Sequence, residues 1–405
     1  MAYNSSLQGP SIAMITNKCA ACAKPLEHKA PRCGNCKTRY CGRECQKQHW
    51  KGGHKQMCGR IKRGGGAEQY HADKKYKEVV AVAVEKCAEE TKGQTCFICT
   101  EGAERRHTTN EGLVSAYCAC RGTSGYAHVS CLVRQAQVAV EEAEYKNLKG
   151  EELEPAFEVW YRCRLCRQQF HGVVREALGW AAWRTYVDRP EEDWCRDGGM
   201  LQLGNGLCAS LKYEEALEVN KVLMALRQRT VSNDSGVLGA LTNIAFCYSH
   251  LDRHEEALAI RRQVYVGKLR YYRPADPMFL PDVVNLGNSL IVNKCFSEAR
   301  EFMAAQSSLA EQKNGADHEY TLRLRMQLAR AHYRDDKVTV DGLRVAVPIM
   351  EDVHRRYLRI YGDKPFVKAI EEEATLVRCM RNVAEKHGIE LIRSGKYHYE
   401  MTTMT

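Results

Sequence analysis

Cysteine and histidine are the residues of this chain whose types and spacing could do chemistry. The chain has 405 residues and twenty cysteines, fifteen of which precede residue 170. Fourteen of those fifteen fall into short paired spacings, most often Cys-x2-Cys, which bring two thiolates within reach of one metal ion. Thiolate and imidazole ligands in groups of four favour Zn²⁺ in a closed tetrahedral site. The pattern therefore predicts structural zinc with no open position for catalysis.

A dense set of cysteines could instead indicate a disulfide scaffold, a class typical of short secreted chains. Residues 1–18 contain no basic start, apolar core or cleavage site of a signal peptide. No run in the sequence reaches the roughly 18 apolar residues that a membrane helix needs. We therefore predict a protein of the reducing cytoplasm or nucleus, without a membrane segment.

The positive charge of the chain is concentrated near its start. The formal net charge is +10, and residues 1–75 carry fifteen Lys and Arg against four Asp and Glu. Such a basic segment is typical of proteins that bind nucleic acid or an acidic partner. Fourteen thiolates with four Zn²⁺ ions would add a net charge of −6, however. Part of the excess of basic residues therefore balances the negative charge of the metal clusters. Nucleic acid is therefore disfavoured as a partner.

The first cluster offers eight ligands, which suit two zinc ions. They are Cys19, Cys22, Cys33, Cys36, Cys41, Cys45, His54 and Cys58. The run from Tyr40 to Cys58 resembles the YCxxxCQ…HWxxxHKxxC end of a MYND finger. The resemblance implies interleaved sites, with Cys19, Cys22, Cys41 and Cys45 on one ion and Cys33, Cys36, His54 and Cys58 on the other.

The MYND resemblance also implies what the first cluster does. Modules of that family bind short, often proline-containing peptides and are not enzymes. Gln46 and Trp50 match the positions that line the peptide groove. His49, the second imidazole of this run, is then a surface or packing residue beside Trp50.

The second cluster also offers eight ligands, namely Cys96, Cys99, Cys118, Cys120, His128, Cys131, Cys163 and Cys166. The single-residue gap after Cys118 and the run from Arg121 to His128 resemble the RING-CH variant of the RING finger. That resemblance implies cross-bracing, with Cys96, Cys99, His128 and Cys131 on one ion and Cys118, Cys120, Cys163 and Cys166 on the other. A PHD finger has the same ligand order, but it carries a Trp two residues before its seventh ligand, whereas Trp160 stands three before Cys163.

A RING-CH domain implies ubiquitin ligation without a catalytic nucleophile. Such a ligase holds a ubiquitin-conjugating enzyme and its thioester-linked ubiquitin in a reactive arrangement, so its catalysis is positioning. Ile98 and Arg167 match the apolar and cationic contacts for that enzyme. Gln135 departs from the pattern, because the family usually has Trp at this position. The loss of an aromatic anchor weakens a small interface.

The chain beyond residue 200 contains an internal repeat. Pairs of a large and a small residue recur at steps of 41, 42 and 42 residues, beginning at Leu203, Ile244, Leu286 and Leu328. In each of the first three repeats an alanine follows twelve residues after the small residue of the pair; these alanines are Ala216, Ala257 and Ala299. In the fourth repeat an insertion near 337–341 moves the corresponding alanine to Ala346. This pattern resembles the tetratricopeptide repeat in its kinesin light chain form, and a helix over 366–387 is expected to cap the stack.

An amide side chain precedes each large residue of the repeat. The four amides are Gln202, Asn243, Asn285 and Gln327. In the tetratricopeptide family this helix lines the inner surface, so the resemblance implies a ladder that hydrogen-bonds an extended peptide. The alternative is that these amides bind neighbouring loops or water.

The predicted fold class is a set of small zinc-stabilised modules, MYND and RING-CH, followed by an all-α tetratricopeptide-type solenoid. The predicted segments are a disordered start at 1–18, a MYND finger at 19–58, a linker and helix at 59–95, a RING-CH finger at 96–170, a helical linker at 171–199, repeats with a cap at 200–390 and a tail at 391–405.

Two functions follow from these resemblances. One is a soluble ubiquitin ligase in which the repeats and the MYND finger select protein or peptide partners. The alternative is a non-enzymatic scaffold of interaction modules. A methyltransferase, which often accompanies a MYND finger, is disfavoured because residues 173–405 have a helical pattern and no β-rich segment.

Overall fold

The computed structural model describes residues 18–27, 29–102, 111–230 and 234–393. The chain divides into two compact units, one ending at Leu251 and the other beginning at Asp252. This division falls inside the predicted repeat array 200–390. Except for Lys18 and 391–393, the predicted start 1–18 and tail 391–405 lie outside the described residues.

The first unit begins with the predicted MYND segment and three helices. These are α1 (Arg43–His49), α2 (Lys55–Arg63) and α3 (Ala67–Cys87), with a π-helical turn at Trp50–His54 between α1 and α2. The helix predicted within 59–95 is α3, which begins directly after the three glycines 64–66. Apolar side chains of α3 at helical spacing, among them Ala72, Tyr76 and Ala83, are buried.

The second Cys/His module combines a short hairpin with a helix. Strands β1 (Leu113–Val114) and β2 (Ala127–His128) pair antiparallel, with Leu113 opposite His128. Helix α4 (Val129–Tyr145) follows β2 directly, and the short helix α5 (Glu154–Phe157) lies between two 3₁₀ turns. The acidic insertion between Cys131 and Cys163 is therefore helical, as its composition favours.

Four further helices complete the first unit: α6 (Gly172–Tyr186), α7 (Trp194–Ala209), α8 (Tyr213–Thr230) and α9 (Asp234–His250). Helices α3 and α4 both pack against α6. Helix α6 also lies very close to α7. A Cβ on Gly179 would stand only 2.6 Å from the carbonyl oxygen of Gln202. A glycine is required at this crossing, since neither backbone can give way.

The second unit is helical throughout its described residues. Its helices are α10 (His254–Lys268), α11 (Leu280–Val292), α12 (Phe296–Asn314), α13 (Glu319–Tyr333), α14 (Val340–Tyr361), α15 (Pro365–His387) and α16 (Ile389–Arg393). Helices α10 to α16 pack in sequence, each against the next. Helix α15 matches the predicted capping helix at 366–387, and it packs on α14 through buried Val367, Ile370 and Val377.

The repeat is visible in the backbone as well as in the sequence. The turn inside each of the first three repeats contains one residue with positive φ, namely Leu211, Asp252 and Lys294, at φ of 60°, 56° and 59°. The small residues predicted to let the helices approach, Ala216, Ala257, Ala299 and Ala346, have no exposed surface. The fourth repeat has a longer turn, 334–339, where the insertion was predicted.

Among the residues that the structure describes, no helix is both long enough and apolar enough to cross a membrane.

Candidate metal centres and interaction surfaces

The structure brings the sixteen predicted ligands together in four groups of four. Site 1 is Cys19, Cys22, Cys41 and Cys45; site 2 is Cys33, Cys36, His54 and Cys58; site 3 is Cys96, Cys99, His128 and Cys131; site 4 is Cys118, Cys120, Cys163 and Cys166. Within each group the candidate ligand atoms lie within 4.8 Å of one another. The grouping is the interleaved pairing that both resemblances imply.

One backbone turn builds all four Cys-x2-Cys pairs. The residue after the second cysteine of each pair has a positive φ: Ala23, Lys37, Thr100 and Arg167, with φ between 56° and 65°. Its N–H donates to the carbonyl of the first cysteine of the pair, over 2.8–3.0 Å. The turn aims both thiols to the same side. The two modules therefore use the same local geometry, although their sequences between the ligands differ.

The spacing of the thiols fits a tetrahedral metal ion. Zn–S bonds of about 2.3 Å place two sulfurs of a tetrahedron about 3.8 Å apart. The observed Sγ–Sγ distances are 3.6 Å for Cys22–Cys41, 3.8 Å for Cys33–Cys58 and 3.7 Å for Cys120–Cys163. A disulfide would require about 2.05 Å, and all of these cysteines are free. The donor sets and distances fit Zn²⁺.

The π-helical turn directs His54 into site 2. Gly53 has a φ of 117°, a conformation that favours glycine. The buried His54 Nε2 lies 3.3 Å from Cys36 Sγ. The predicted packing role of His49 agrees with its position, because its ring stacks on His54 at 4.7 Å and its Nδ1 lies 3.0 Å from the Tyr40 hydroxyl.

Hydrogen bonds outside the ligand groups orient the ligands. His128 Nε2 lies 2.9 Å from the Gly102 carbonyl oxygen, so this nitrogen donates and Nδ1 is left to face the Cys99 thiol at 3.4 Å. A ring held in this way is typical of histidines that bind metal. In the first module Asn35 Nδ2 donates to Cys58 Sγ at 3.3 Å. A donor to sulfur stabilises the thiolate.

The thiol pKa values show why these groups need a cation. Burial alone would raise the pKa of Cys19, but backbone N–H groups of Cys41, Cys22 and Ala21 outweigh it and lower this pKa to about 6. In site 4, burial together with the Cys163 thiol raises the pKa of Cys120 to about 11. Thiols this close repel one another once ionised. A bound Zn²⁺ supplies the charge that lets all of them ionise.

The two predicted groove residues of the first module lie at its surface. Trp50 is 41% exposed although it contacts the buried His54 ring edge-on at 5.9 Å between centroids. Gln46 is half-buried on α1, one turn before Trp50. The pair presents an aromatic surface beside site 2.

The predicted conjugating-enzyme contacts also lie at the surface of the second module. Ile98 is half-buried and Arg167 is exposed, while Gln135 is half-buried on α4. The sequence analysis missed Leu165, whose side chain is 56% exposed. Leu165 precedes the second cysteine of its pair as Ile98 does in its own pair, so the signal was present in the spacing.

Trp160 belongs to the core. It has no exposed surface, and its Nε1 donates to the Tyr186 hydroxyl over 3.3 Å. Phe157 packs edge-on against Trp194 at 5.1 Å and near Tyr186 at 5.7 Å. The segment before Cys163 therefore attaches the second module to α6 and α7 through aromatic packing.

The four repeat amides are not equivalent, which corrects the predicted ladder. Gln202 is buried and its Oε1 accepts a hydrogen bond from the buried Arg175 over 2.5 Å. Gln327 is also buried. Both are packing residues, because a peptide cannot reach them. Asn243 is half-buried and Asn285 is exposed, so these two stay predicted peptide contacts.

Two helical cysteines meet that no sequence pattern predicts to be paired. Cys208 on α7 and Cys247 on α9 have sulfurs 3.8 Å apart. The Cys247 thiol, together with burial, raises the pKa of Cys208. No third ligand completes this pair among the described residues, so it does not belong with the four metal sites.

Comparison with known proteins supports the first module. The MYND finger family model matches residues 19–58, the bounds predicted from the sequence. The match covers the first Cys/His module and none of the second. A search of curated proteins found no match.

Solved structures of helical repeat proteins resemble the chain. A Podosopora anserina kinesin light chain-type protein of nearly identical TPR-like repeats is 18% identical, covers 58% of this chain and 98% of its own, and has a TM-score of 0.39. A variant of that protein gives a TM-score of 0.40 at 18% identity, covering 57% and 97%. BtubC (BKLC) from P. vanneervenii is 12% identical, covers 63% and 92%, and has a TM-score of 0.35. These values carry no functional argument.

Proposed function

We propose that this chain is a zinc-stabilised protein-interaction scaffold, in which the MYND-like finger binds peptides and the helical repeats bind further protein partners. The observation that carries the proposal is the exposed Trp50, set beside Gln46 within a module that the MYND finger model matches. The helical units support it, because repeat arrays offer extended binding surfaces.

The surroundings of Trp50 suit it for binding. Its neighbour His54 is a predicted ligand of site 2, so metal binding would fix the turn that carries the indole. A preorganised aromatic side chain loses little conformational entropy when a peptide covers it. Trp is also enriched among the residues that dominate interface energies.

A peptide-binding assay tests this proposal. We expect fluorescent proline-containing peptides to bind the zinc-loaded chain, and Trp50→Ala to weaken that binding by at least tenfold, about 1.4 kcal/mol. Tyr145→Ala is the matched control, because Tyr145 is 89% exposed and lies on α4 outside the finger. Equal affinities of wild type and Trp50→Ala across the peptide panel would remove the finger from the proposed function.

We further propose that the four sites hold four structural Zn²⁺ ions, which supply cross-links and no reaction chemistry. All four protein ligands are present in each group, so no position is left open for water or substrate. Elemental analysis of the purified chain should find about four zinc ions per molecule. A value near two would exclude one module as a zinc site.

Ubiquitin ligation is the second candidate, and the surface of the second module favours it. Leu165 is exposed between Arg164 and the αL residue Arg167, a combination of apolar and cationic groups next to site 4. Ile98 occupies the equivalent position beside site 3. Such a surface fits the shallow apolar patch plus cation that the RING-CH resemblance implies for a conjugating enzyme.

A reconstituted ubiquitination reaction separates the two candidates. If the module is a ligase, chains should form with at least one member of a panel of conjugating enzymes. Ile98→Ala and Leu165→Ala should each abolish them while the zinc content stays at the wild-type value. If protein with its full zinc content forms no ubiquitin chains with any enzyme of the panel, only the scaffold function remains.

A further inference from the structure

A polar cavity of about 220 Å³ lies in the first unit, where the finger faces α7 and α8. Its charged lining residues are Arg32, Arg39, Arg196, Arg229, Glu68 and Glu191. Two of the arginines come from the finger, one from α7 and one from α8, so the cavity joins three parts of the fold. Neither the predicted peptide groove nor the four metal sites include these residues.

The two finger arginines are held together by the turn around Cys33 and Cys36. Arg32 and Arg39 form an antiparallel bridge, which places their side chains on one face. Arg39 is only 7% exposed, and its Nη2 donates to the Glu27 carbonyl over 2.8 Å. Burial, and then the charge of Arg32, lower the pKa of Arg39. Like charges facing each other across a bridge are unfavourable unless something compensates them.

The lining of the cavity holds fewer carboxylates than guanidinium groups. Glu68 pairs with Arg196 over 3.2 Å, and Glu191 pairs with Arg229 over 3.2 Å. Four guanidinium groups face two carboxylates, so the lining carries two positive charges in excess. Arg196 also has a buried Nε with no hydrogen-bond partner among the described residues. Leaving a buried donor unsatisfied is costly.

We propose that this cavity binds a phosphate group. A phosphate at neutral pH carries close to two negative charges and accepts hydrogen bonds from several directions. The charge of such a phosphate matches the excess of two positive charges in the lining, whose guanidinium groups come from the finger, α7 and α8. Guanidinium groups bind phosphate through paired, charge-assisted hydrogen bonds. The cavity has room for a phosphate group together with several waters.

Thermal unfolding of the full zinc-loaded chain in inorganic phosphate tests the proposal. A ligand of the folded state raises the unfolding temperature, so phosphate should raise it above its value in chloride at the same ionic strength. Arg32→Gln should weaken the apparent phosphate affinity by about tenfold, since one charge-assisted interaction is lost. Arg43→Gln removes the same charge from an exposed position of α1 that does not line the cavity, and it should bind phosphate like the wild type.

A second variant keeps the test independent of folding defects. Glu191→Gln removes a repelling carboxylate, so it should tighten phosphate binding several-fold, a change that damage to the fold would not produce. Zinc content and near-ultraviolet circular dichroism identify any variant that has lost its structure. The proposal is overturned if phosphate acts no differently from chloride on the wild type, or if Arg32→Gln and Arg43→Gln bind it equally.

The phosphate group could be free or part of a phosphorylated side chain, and a competing probe distinguishes the sources. N-acetyl-O-phosphoserine amide should bind more tightly than inorganic phosphate if the natural ligand is a phosphorylated peptide. Tighter binding of inorganic phosphate would indicate the free anion. Both results support a phosphate site, because both require the same arginines.

Discussion

The two Cys/His modules share their metal-binding turns but differ in how they are attached to the helices of the first unit. The residues that flank the first module contact the helices through polar groups: Lys18 pairs with Glu218 over 2.8 Å, and Gln69 of α3 donates to the Arg184 carbonyl over 3.0 Å. The second module inserts Phe157 and Trp160 into an aromatic core with Tyr186 and Trp194.

The difference shows that one ligand pattern can support two roles. In the first module an indole, Trp50, is left at the surface beside a metal site, where it can contact a partner. In the second module an indole, Trp160, lies in the core close to a metal site, where it stabilises the helices. If the proposed zinc ions are bound, zinc in the first module would organise a binding surface, and zinc in the second would also support the fold.

Removing one ligand from each module should give the largest contrast. Cys163→Ser opens the buried site 4 beside Trp160, so we expect loss of zinc and of the near-ultraviolet circular dichroism of the aromatic core. Structural zinc binding contributes on the order of 10–16 kcal/mol. Cys22→Ser opens the more exposed site 1 and should lose zinc with that dichroism largely kept. Equal spectral losses in the two variants would erase the distinction between the modules.

The two tryptophans provide a matched pair for stability. Trp160→Ala should lower the free energy of unfolding by about 3–5 kcal/mol, because a fully buried indole leaves a large cavity. Trp50→Ala should change it by about 0.5 kcal/mol or less, because 41% of the Trp50 surface is exposed and its removal leaves no closed cavity. Urea unfolding followed by far-ultraviolet circular dichroism measures both. A Trp50→Ala loss as large as that of Trp160→Ala would place Trp50 in the stabilising core.

Helix α6 packs against α3, which follows the first module, and against α4 of the second module, so its crossing with α7 tests their common base. Gly179→Ala should cost about 1–3 kcal/mol, because the new methyl group would meet the Gln202 backbone. Gly239→Ala on α9 is the control, since its Cβ would lie 3.5 Å from the nearest atom, Nη1 of Arg227. That variant should be neutral or gain up to about 1 kcal/mol. Thermal unfolding measures both variants. An increase in the unfolding temperature of both would refute the close crossing.

The smallest effect should come from the polar attachment of the first module. Lys18→Ala should cost about 0.2–1 kcal/mol, the usual range for a partly exposed ion pair. Burial raises the pKa of Glu218, but the hydrogen bond from Lys18 outweighs it and the net pKa is lowered. The pair therefore stabilises the fold above the ordinary carboxyl pKa, and this contribution is lost as the pH falls through the lowered value. Urea unfolding at pH 7 and pH 3 should show a larger difference in unfolding free energy between wild type and variant at pH 7 than at pH 3.

Much of the architecture could be predicted because the relevant signals are local. A Cys-x2-Cys pair fixes a turn within six residues, and all four such pairs adopt the same one. The repeat could be read because each helix pair carries its own small residues, such as Ala216 and Ala257, at the crossing. The amide ladder failed at Gln202 because the exposure of that side chain depends on Arg175, 27 residues away in the sequence.

The sequence by itself determined the ligand pairs, the helical repeat and the position of its insertion, since each depends on residue types at short spacing. Only the tertiary structure decided that Trp160 is buried and Trp50 exposed, that Leu165 lies at the surface, and that four arginines meet around one cavity. Burial and charge excess arise from segments distant in sequence that are brought together by packing. Local patterns cannot determine them, because each depends on every neighbour at once.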